Sequence, residues 1–265
     1  MYVYMYIYMA FILTTIFIVP YRSRPNHKQA FQSKMAELLS DWPVGSYEIY
    51  FAHQCDGRPF NRGAMKNIGF LAMKKKYPAL YSALTFIFHD VDTWPKEKGL
   101  IPYTTTAGVV SHYYGFKFAL GGMFAIKGAD FEKARGFPNF WGWGLEDNIM
   151  NDRCLAAGLR IDRSIFYDMH DIARIERPFD GFQRLVSKAD ASIYKYDSPD
   201  TVFDLQNLAW TIENEFVNIT NFSCKMNPDD QDYRIYDIRV EQRIPIVRGY
   251  RGGRNWSMKK MMMKK

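Results

Sequence analysis

Three short stretches hold residue types that can bind a metal or move a proton. His89-Asp90-Val91-Asp92 sets two carboxylates one residue apart, directly after the apolar run Leu84-Thr85-Phe86-Ile87-Phe88. At a strand's end such a pair can present oxygen to a hard divalent ion. Asp168-Met169-His170-Asp171 follows Ile165-Phe166-Tyr167. A carboxylate and an imidazole two residues apart in an extended segment point the same way and can reach one ion. Asp92 and His170 are therefore the candidate metal ligands, with Asp168 or Met169 as a third, a choice the sequence leaves open. Oxygen with one imidazole suits manganese or magnesium better than zinc.

The third stretch runs from Gly136 to Asn148 and interleaves Trp141 and Trp143 with Gly142 and Gly144, a pattern foreign to a packed core. Glycine gives the backbone freedom to move, and tryptophan can stack on a sugar face. Glu146 and Asp147 then open a helix, where carboxylates suit the dipole. Two basic segments add anion chemistry. Arg22 and Arg24 follow Pro20 at the end of an apolar strand, a position suited to phosphate or ribose. Phe60 and Arg62 open another helix, where ring and guanidinium can stack on a base and pair with phosphate.

The elements that must position these groups alternate strand and helix. Strands are expected at Thr15–Val19, Tyr47–Ala52, Leu84–Phe88, near Val109 and at Met123–Ile126 after the Gly121-Gly122 turn. Helices are expected over Gln29–Leu39, Asn61–Lys76, Asp130–Arg135 and Glu146–Ala157, the last two closed by Gly136 and Gly158. In Asn61–Lys76 the residues Ala64, Met65, Ile68, Leu71 and Ala72 fall at helical spacing. Successive units of this kind predict an α/β fold with a largely parallel sheet and ligands outside the strands' carboxyl ends. That places Asp90 and Asp92 at the ligand edge.

Composition agrees with an enzyme. The chain has 265 residues, of which 48% are hydrophobic and 17% aromatic, which excludes a disordered chain. Its net charge of +7 is concentrated in the tail Arg248 to Lys265. No platform of interleaved aromatic and basic residues is present, so nucleic-acid binding is not expected. Cys55, Cys154 and Cys224 are widely spaced and suggest neither a disulfide framework nor a zinc knuckle. Residues 1–14 are apolar, but fewer than the roughly 20 that a spanning helix needs. Membrane association is therefore not expected, and the expected location is soluble and cytoplasmic, with the secretory lumen as the other possibility.

In order and character, these blocks resemble the β-1,4-galactosyltransferase family, inverting, manganese-dependent enzymes of the GT-A fold, over roughly Thr15 to Ser223. The resemblance implies a GT-A domain at 15–223, an apolar extension at 1–14 and a C-terminal extension with a basic tail at 224–265. IVPYRSRPNH is similar to the first nucleotide loop of that family, implying donor contacts from Pro20, Arg22 and Arg24; FNRGAMKNIGF implies them from Phe60 and Arg62. FIFHDVD resembles the metal triplet, with Asp90 beside the donor and Asp92 on the ion. GGMFAIKGADFEKARGFPNFWGWGLEDN resembles the acceptor and catalytic block. It implies donor contact at Gly122, Trp143 on a mobile loop, Glu146 touching the acceptor and Asp147 as base. YDMHD is similar to a His-x-His-Asp metal segment, with Asp168 in place of the first histidine.

Leu145 stands where galactosyltransferases usually have glycine, and GWGLED also resembles the chondroitin N-acetylgalactosaminyltransferase branch. Ala119, where many members keep tyrosine, implies room for an N-acetyl group. The implied activity is transfer of galactose, N-acetylgalactosamine or another hexose from a UDP-sugar to a glycan hydroxyl, with Mn2+ or Mg2+. The alternative is a catalytically silent sugar-binding domain of the same fold. The oligomeric state is left open.

Overall fold

The computed structural model describes residues 13–179, 181–187, 200–237 and 239. The apolar extension up to residue 12 and the tail 248–265 lie outside them. In chain order the first half runs β1 (Thr15–Tyr21), α1 (Pro25–Leu38), β2 (Tyr47–Gln54), α2 (Arg62–Lys76), β3 (Thr85–His89), β4 (Trp94–Pro95), β5 (Val109–Gly115) and β6 (Met123–Lys127). The second half runs α3 (Gly128–Lys133), α4 (Glu146–Ala156), β7 (Arg160–Asp162), β8 (Tyr167–Asp168), β9 (Ile175–Glu176), β10 (Gln183–Ser187), β11 (Gln206–Glu213), β12 (Phe216–Ser223) and β13 (Tyr233–Asp237).

Nine strands form one mixed, mostly parallel sheet in the order β11-β12-β2-β1-β3-β6-β5-β7, with β8 pairing β5. The expected α/β class is present. Strands β12, β2, β1 and β3 run parallel, whereas β6 is antiparallel to both β3 and β5. Every residue of β1 is buried, and its side chains alternate between two cores. Ile16 and Ile18 join α2 on one face; Phe17 and Val19 join α1 residues Phe31 and Met35 on the other. Covering both faces explains why β1 and β3 read as unbroken apolar runs.

Local signals set the helix starts. Pro25 lies in the first turn of α1, where its missing N–H costs nothing, so this helix begins before the expected Gln29. Asn61 caps α2 by accepting from Ala64 N at 2.9 Å. Gly69 lets α2 lie close on the sheet, because a Cβ there would sit 2.6 Å from Ile18 Cγ2. Residues beyond Ser223 pack back on the body: β13 pairs antiparallel with β10.

Candidate active site

The edge that carries the candidate residues is built by register. His89 pairs with Met123, Met123 with Tyr114, and Tyr114 with Tyr167. The ends of β3, β5 and β8 are therefore level, and Asp90, Asp92 and Asp168 leave the sheet at one edge. A two-stranded ribbon ties the same regions again, with Trp94 opposite Glu176 and Pro95 opposite Ile175. It holds the segment after Asp92 beside the segment after His170. Burial pushes the Tyr114 hydroxyl up to about 12, helped by the charges of Asp90 and Asp92 and opposed by Arg177.

Arg62 is the hub of this edge. Its Nη1 donates to Glu146 Oε1 and to both carboxylate oxygens of Asp147 at 2.8 Å, while Nε and Nη2 donate to Asp90. Burial works against its charge, but Asp147, Asp90 and Glu146 outweigh it and raise the guanidinium well above its ordinary range. Arg24, the residue before α1, donates to Asp92 Oδ2 at 2.7 Å. Arg22 donates instead to the Arg58 carbonyl. Pro20 lies inside β1, and Phe60 is half-buried against the core.

Sequence reasoning missed Lys66. Its side chain is 1% exposed, and Nζ lies 2.9 Å from Asp147 Oδ1 and 4.4 Å from the Phe137 ring centre. Burial and Arg62 lower its affinity for a proton. The signal was present: Lys66 stands one helical turn after Arg62, inside the apolar face of α2.

The adjacent carboxylates Glu146 and Asp147 are driven apart. Burial favours the neutral form of both. For Asp147, Arg62 and Lys66 overcome burial and hold the carboxyl below its usual range. Glu146 is raised by burial and by the charge of Asp147. Its Oε2 is buried and has no hydrogen-bond partner among the described residues. Exposure separates their roles: the Asp147 side chain is 22% exposed and Glu146 only 5%. Asp147 can meet a substrate hydroxyl; Glu146 is nearly closed off.

Two glycines and a leucine shape this pair. A Cβ on Gly121 would lie 2.4 Å from Asp147 Oδ2, so only glycine admits that carboxylate. Gly122, at φ +70°, accepts from Asp90 N at 3.0 Å and so anchors the Asp90 backbone. Leu145, immediately before α4, takes φ +72°, a conformation disfavoured for branched side chains. Glycine would adopt this turn without strain, and the leucine is held in it by its buried side chain, 4% exposed in the main core.

The Trp-Gly segment divides. Trp141 is 1% exposed, stacks on Phe222 and donates Nε1–H to the Met226 carbonyl at 2.7 Å. The expectation that this whole pattern is foreign to a core is corrected here: Trp141 is core. Trp143 is half-buried, its N–H donates to the Leu185 carbonyl at 2.7 Å, and Gly144 beside it has φ +102°.

Of the donor types expected for a metal, the carboxylates of Asp92 and Asp168 fit a hard divalent ion, one imidazole is compatible with manganese, and the Met169 thioether, a soft donor, fits poorly. The register carries both segments to one edge. Among the described residues, however, no three His, Cys, Asp or Glu side chains stand together as a finished coordination shell. Asp168 Oδ1 accepts from the His170 backbone N–H at 2.8 Å. Also among the described residues, no helix is long and apolar enough to cross a membrane.

Comparison with known proteins adds to this geometry. The model of the N-terminal region of glycosyl transferase group 7 matches residues 11–104, and a model described as the N-terminal domain of galactosyltransferase matches residues 103–178. Human β-1,4-galactosyltransferase 4 is 31% identical over 160 residues, covering 56% of this chain and 44% of that protein. Human β-1,4-galactosyltransferase 6 is 30% identical over 155 residues, covering 55% of this chain and 39% of that protein. The chain spans less than half the length of these curated relatives. Drosophila β1,4-galactosyltransferase 7, in a complex with manganese, UDP-Gal and xylobiose, shares the fold at TM-score 0.60 and 19% identity, over 80% of this chain and 95% of that one.

Proposed function

Because the chain belongs to the glycosyltransferase group 7 family, matched by its two models from residue 11 to residue 178, we propose that it is an inverting transferase. In this reading it moves galactose, N-acetylgalactosamine or another hexose from a UDP-sugar to a glycan hydroxyl. The observation that carries the reading is the Arg62 hub, which gathers Asp90, Glu146 and Asp147 at the carboxyl end of the sheet. Four carboxylates, counting Asp92, face three cations, Arg24, Arg62 and Lys66. The relatives' names and the UDP-Gal complex of the Drosophila neighbour support the same class.

Asp147 accepts the proton of the acceptor hydroxyl as that oxygen bonds to the anomeric carbon. The carbon–oxygen bond to UDP breaks in the same displacement, which inverts the centre. Held ionised by Arg62 and Lys66, Asp147 is ready as a base at neutral pH. Glu146, its carboxyl raised by burial and by the charge of Asp147, orients the acceptor. Arg22, Arg24 and Arg62 bind the diphosphate, Phe60 flanks the base, and Pro20 and Gly122 shape the donor cleft. Trp143 covers donor and acceptor and excludes water. Asp92 and His170, with Asp168 or Met169, would hold a Mn2+ or Mg2+ ion, which supplies Lewis-acid neutralisation of the departing diphosphate.

The test is UDP release with manganese over a panel of UDP-sugars, with and without mono- and disaccharide acceptors. Release that rises with acceptor supports the reading. No acceptor-dependent release with any donor would count decisively against it.

A further inference from the structure

His112, in β5, is fully buried, and its two ring nitrogens bind in different directions. Arg163 Nε donates to Nδ1 at 3.0 Å. A guanidinium can only donate, so Nδ1 accepts and the ring proton sits on Nε2. That nitrogen donates to the Tyr114 carbonyl at 3.0 Å and to the Gly121 carbonyl at 3.2 Å. Burial and the charge of Arg163 push the imidazole down to about 4, so it stays neutral and keeps a single donor. The register of β5 on β6 slips between His112 and Tyr114, a bulge of the kind that re-aims side chains. Gly115 leaves room for the contact: a Cβ there would lie 2.9 Å from the Gly121 carbonyl oxygen and 3.3 Å from His112 Nε2. The far end of Arg163 reaches α4, where Nη2 donates to Asn151 Oδ1 at 3.0 Å. Asn151 stands one helical turn after Asp147. Leu120 N–H ties the same places again by donating to the Asp147 carbonyl at 2.8 Å. The contacts close a ring from Asn151 through Arg163 and His112 to Gly121, whose missing Cβ admits the Asp147 carboxylate.

We propose that His112, locked by Arg163, is a positioning residue for Asp147: it holds the Gly121 turn that fixes where the carboxylate lies. The inference rests on the transferase reading for the role of Asp147 as base. Both side chains act through the backbone and not on the substrate. Gly121 is gripped at its oxygen by the imidazole, while its Cα lies against Asp147. Without that donor a buried carbonyl loses a partner, and the turn gains by swinging to find another. A base displaced by about 1 Å costs about 100-fold in rate, so a group that never meets substrate can control kcat. Filling this space requires only a ring; an imidazole bonded at both nitrogens also fixes one geometry.

The experiment measures acceptor-dependent UDP release per folded molecule, using UDP-galactose or UDP-N-acetylgalactosamine, whichever is faster, with manganese and a saccharide acceptor. H112F keeps a ring of similar size without the donor, and its kcat should fall by about 10- to 100-fold. Donor KM and calorimetric UDP affinity should stay within about twofold of the unaltered protein, because nothing at the nucleotide has moved. H112Q places a donor where Nε2 stood and should restore kcat to within about threefold. R163M opens the ring at a half-buried position and should lower kcat by at least about threefold, which decides the matter where H112F fails to fold. In G121A, whose carboxylate is already displaced, adding H112F should cost less than about threefold more, since both changes act on one contact. The proposal fails if H112F and R163M keep full kcat, if H112Q falls as far as H112F, or if the G121A and H112F losses multiply. It also fails if kcat and UDP affinity fall together, the mark of general loosening. Transfer by the unaltered protein with unchanged variants would sink this inference alone. No acceptor-dependent release from the unaltered protein would sink the transferase reading and this inference with it.

Discussion

The ammonium of Lys66 sits 2.9 Å from Oδ1 of Asp147, joining α2 to the start of α4. Asp147 therefore depends on two cations, one of which is also bound to Asp90 and Glu146. Replacing Lys66 by methionine keeps the volume and removes one cation. Asp147 has a lowered folded pKa, so its stabilising contribution is present above its unfolded pKa and fades as pH falls through the folded value. The acid limb of the pH profile of kcat/KM should accordingly move upward in K66M. The fold should survive, with a loss of at most about 3 kcal/mol by thermal unfolding, because Arg62 still satisfies Asp147. An unmoved acid limb would show that Lys66 does not set the base.

Asp147→Asn and Gly121→Ala attack the same oxygen in different ways. The first removes the proton acceptor and should lower kcat by about 100- to 10,000-fold with UDP affinity nearly intact. The second leaves the carboxylate but pushes it away, since the new Cβ would lie 2.4 Å from Oδ2. Its kcat should fall by roughly 100-fold, the order expected for a misplacement of about 1 Å. If D147N lost transfer and UDP binding together, the base assignment would be wrong.

Much of this arrangement is legible in the sequence, for identifiable reasons. β1, α2 and β3 read clearly because burial on both faces or one helical stripe leaves a strong pattern. The hairpin β11–β12 was not legible. Most of Gln206–Glu213 is exposed, and the chain turns back through Asn214 at φ +52°. The motifs carried Arg62, Asp147 and Asp92, but not that Arg62 binds three acids. Lys66 escaped because a lysine inside an apolar face looks like noise until a carboxylate meets it. Trp141 was misread because its partners, Phe222 and Met226, lie far along the chain.

Leu145 sets two effects against each other. Its φ of +72° costs of order 1–2 kcal/mol. Its side chain, 4% exposed and packed in the main core, contributes about 2–5 kcal/mol on the scale of large-to-small deletions. Burial wins, so L145G should destabilise the protein by about 1–3 kcal/mol despite relieving the turn. Chemical denaturation measures this, and a stabilised L145G would mean that the strain is larger than the packing.

Metal dependence has a readout free of turnover. Manganese should raise the melting temperature, and above Kd the rise should follow the logarithm of its concentration, because a ligand that binds only the folded state stabilises by RT ln(1 + [L]/Kd). Chelation should reverse the shift. Asp92→Asn and His170→Ala should each abolish it, while Asp41→Asn, on an exposed carboxylate away from this edge, should not. A shift that survives in D92N would remove Asp92 from the coordination set.

β12 lies parallel against β2, from Phe216 opposite Phe51 to Ile219 opposite Gln54. The stretch recognisable by family ends some forty residues before β12, yet without that strand the main-chain donors and acceptors of β2 on that side would be bare. A protein cut at residue 178 would carry an open, apolar strand edge, which is a template for aggregation. A piece that keeps this sheet edge covered therefore has to reach at least through β12, and inherited resemblance marks only part of what the sheet requires.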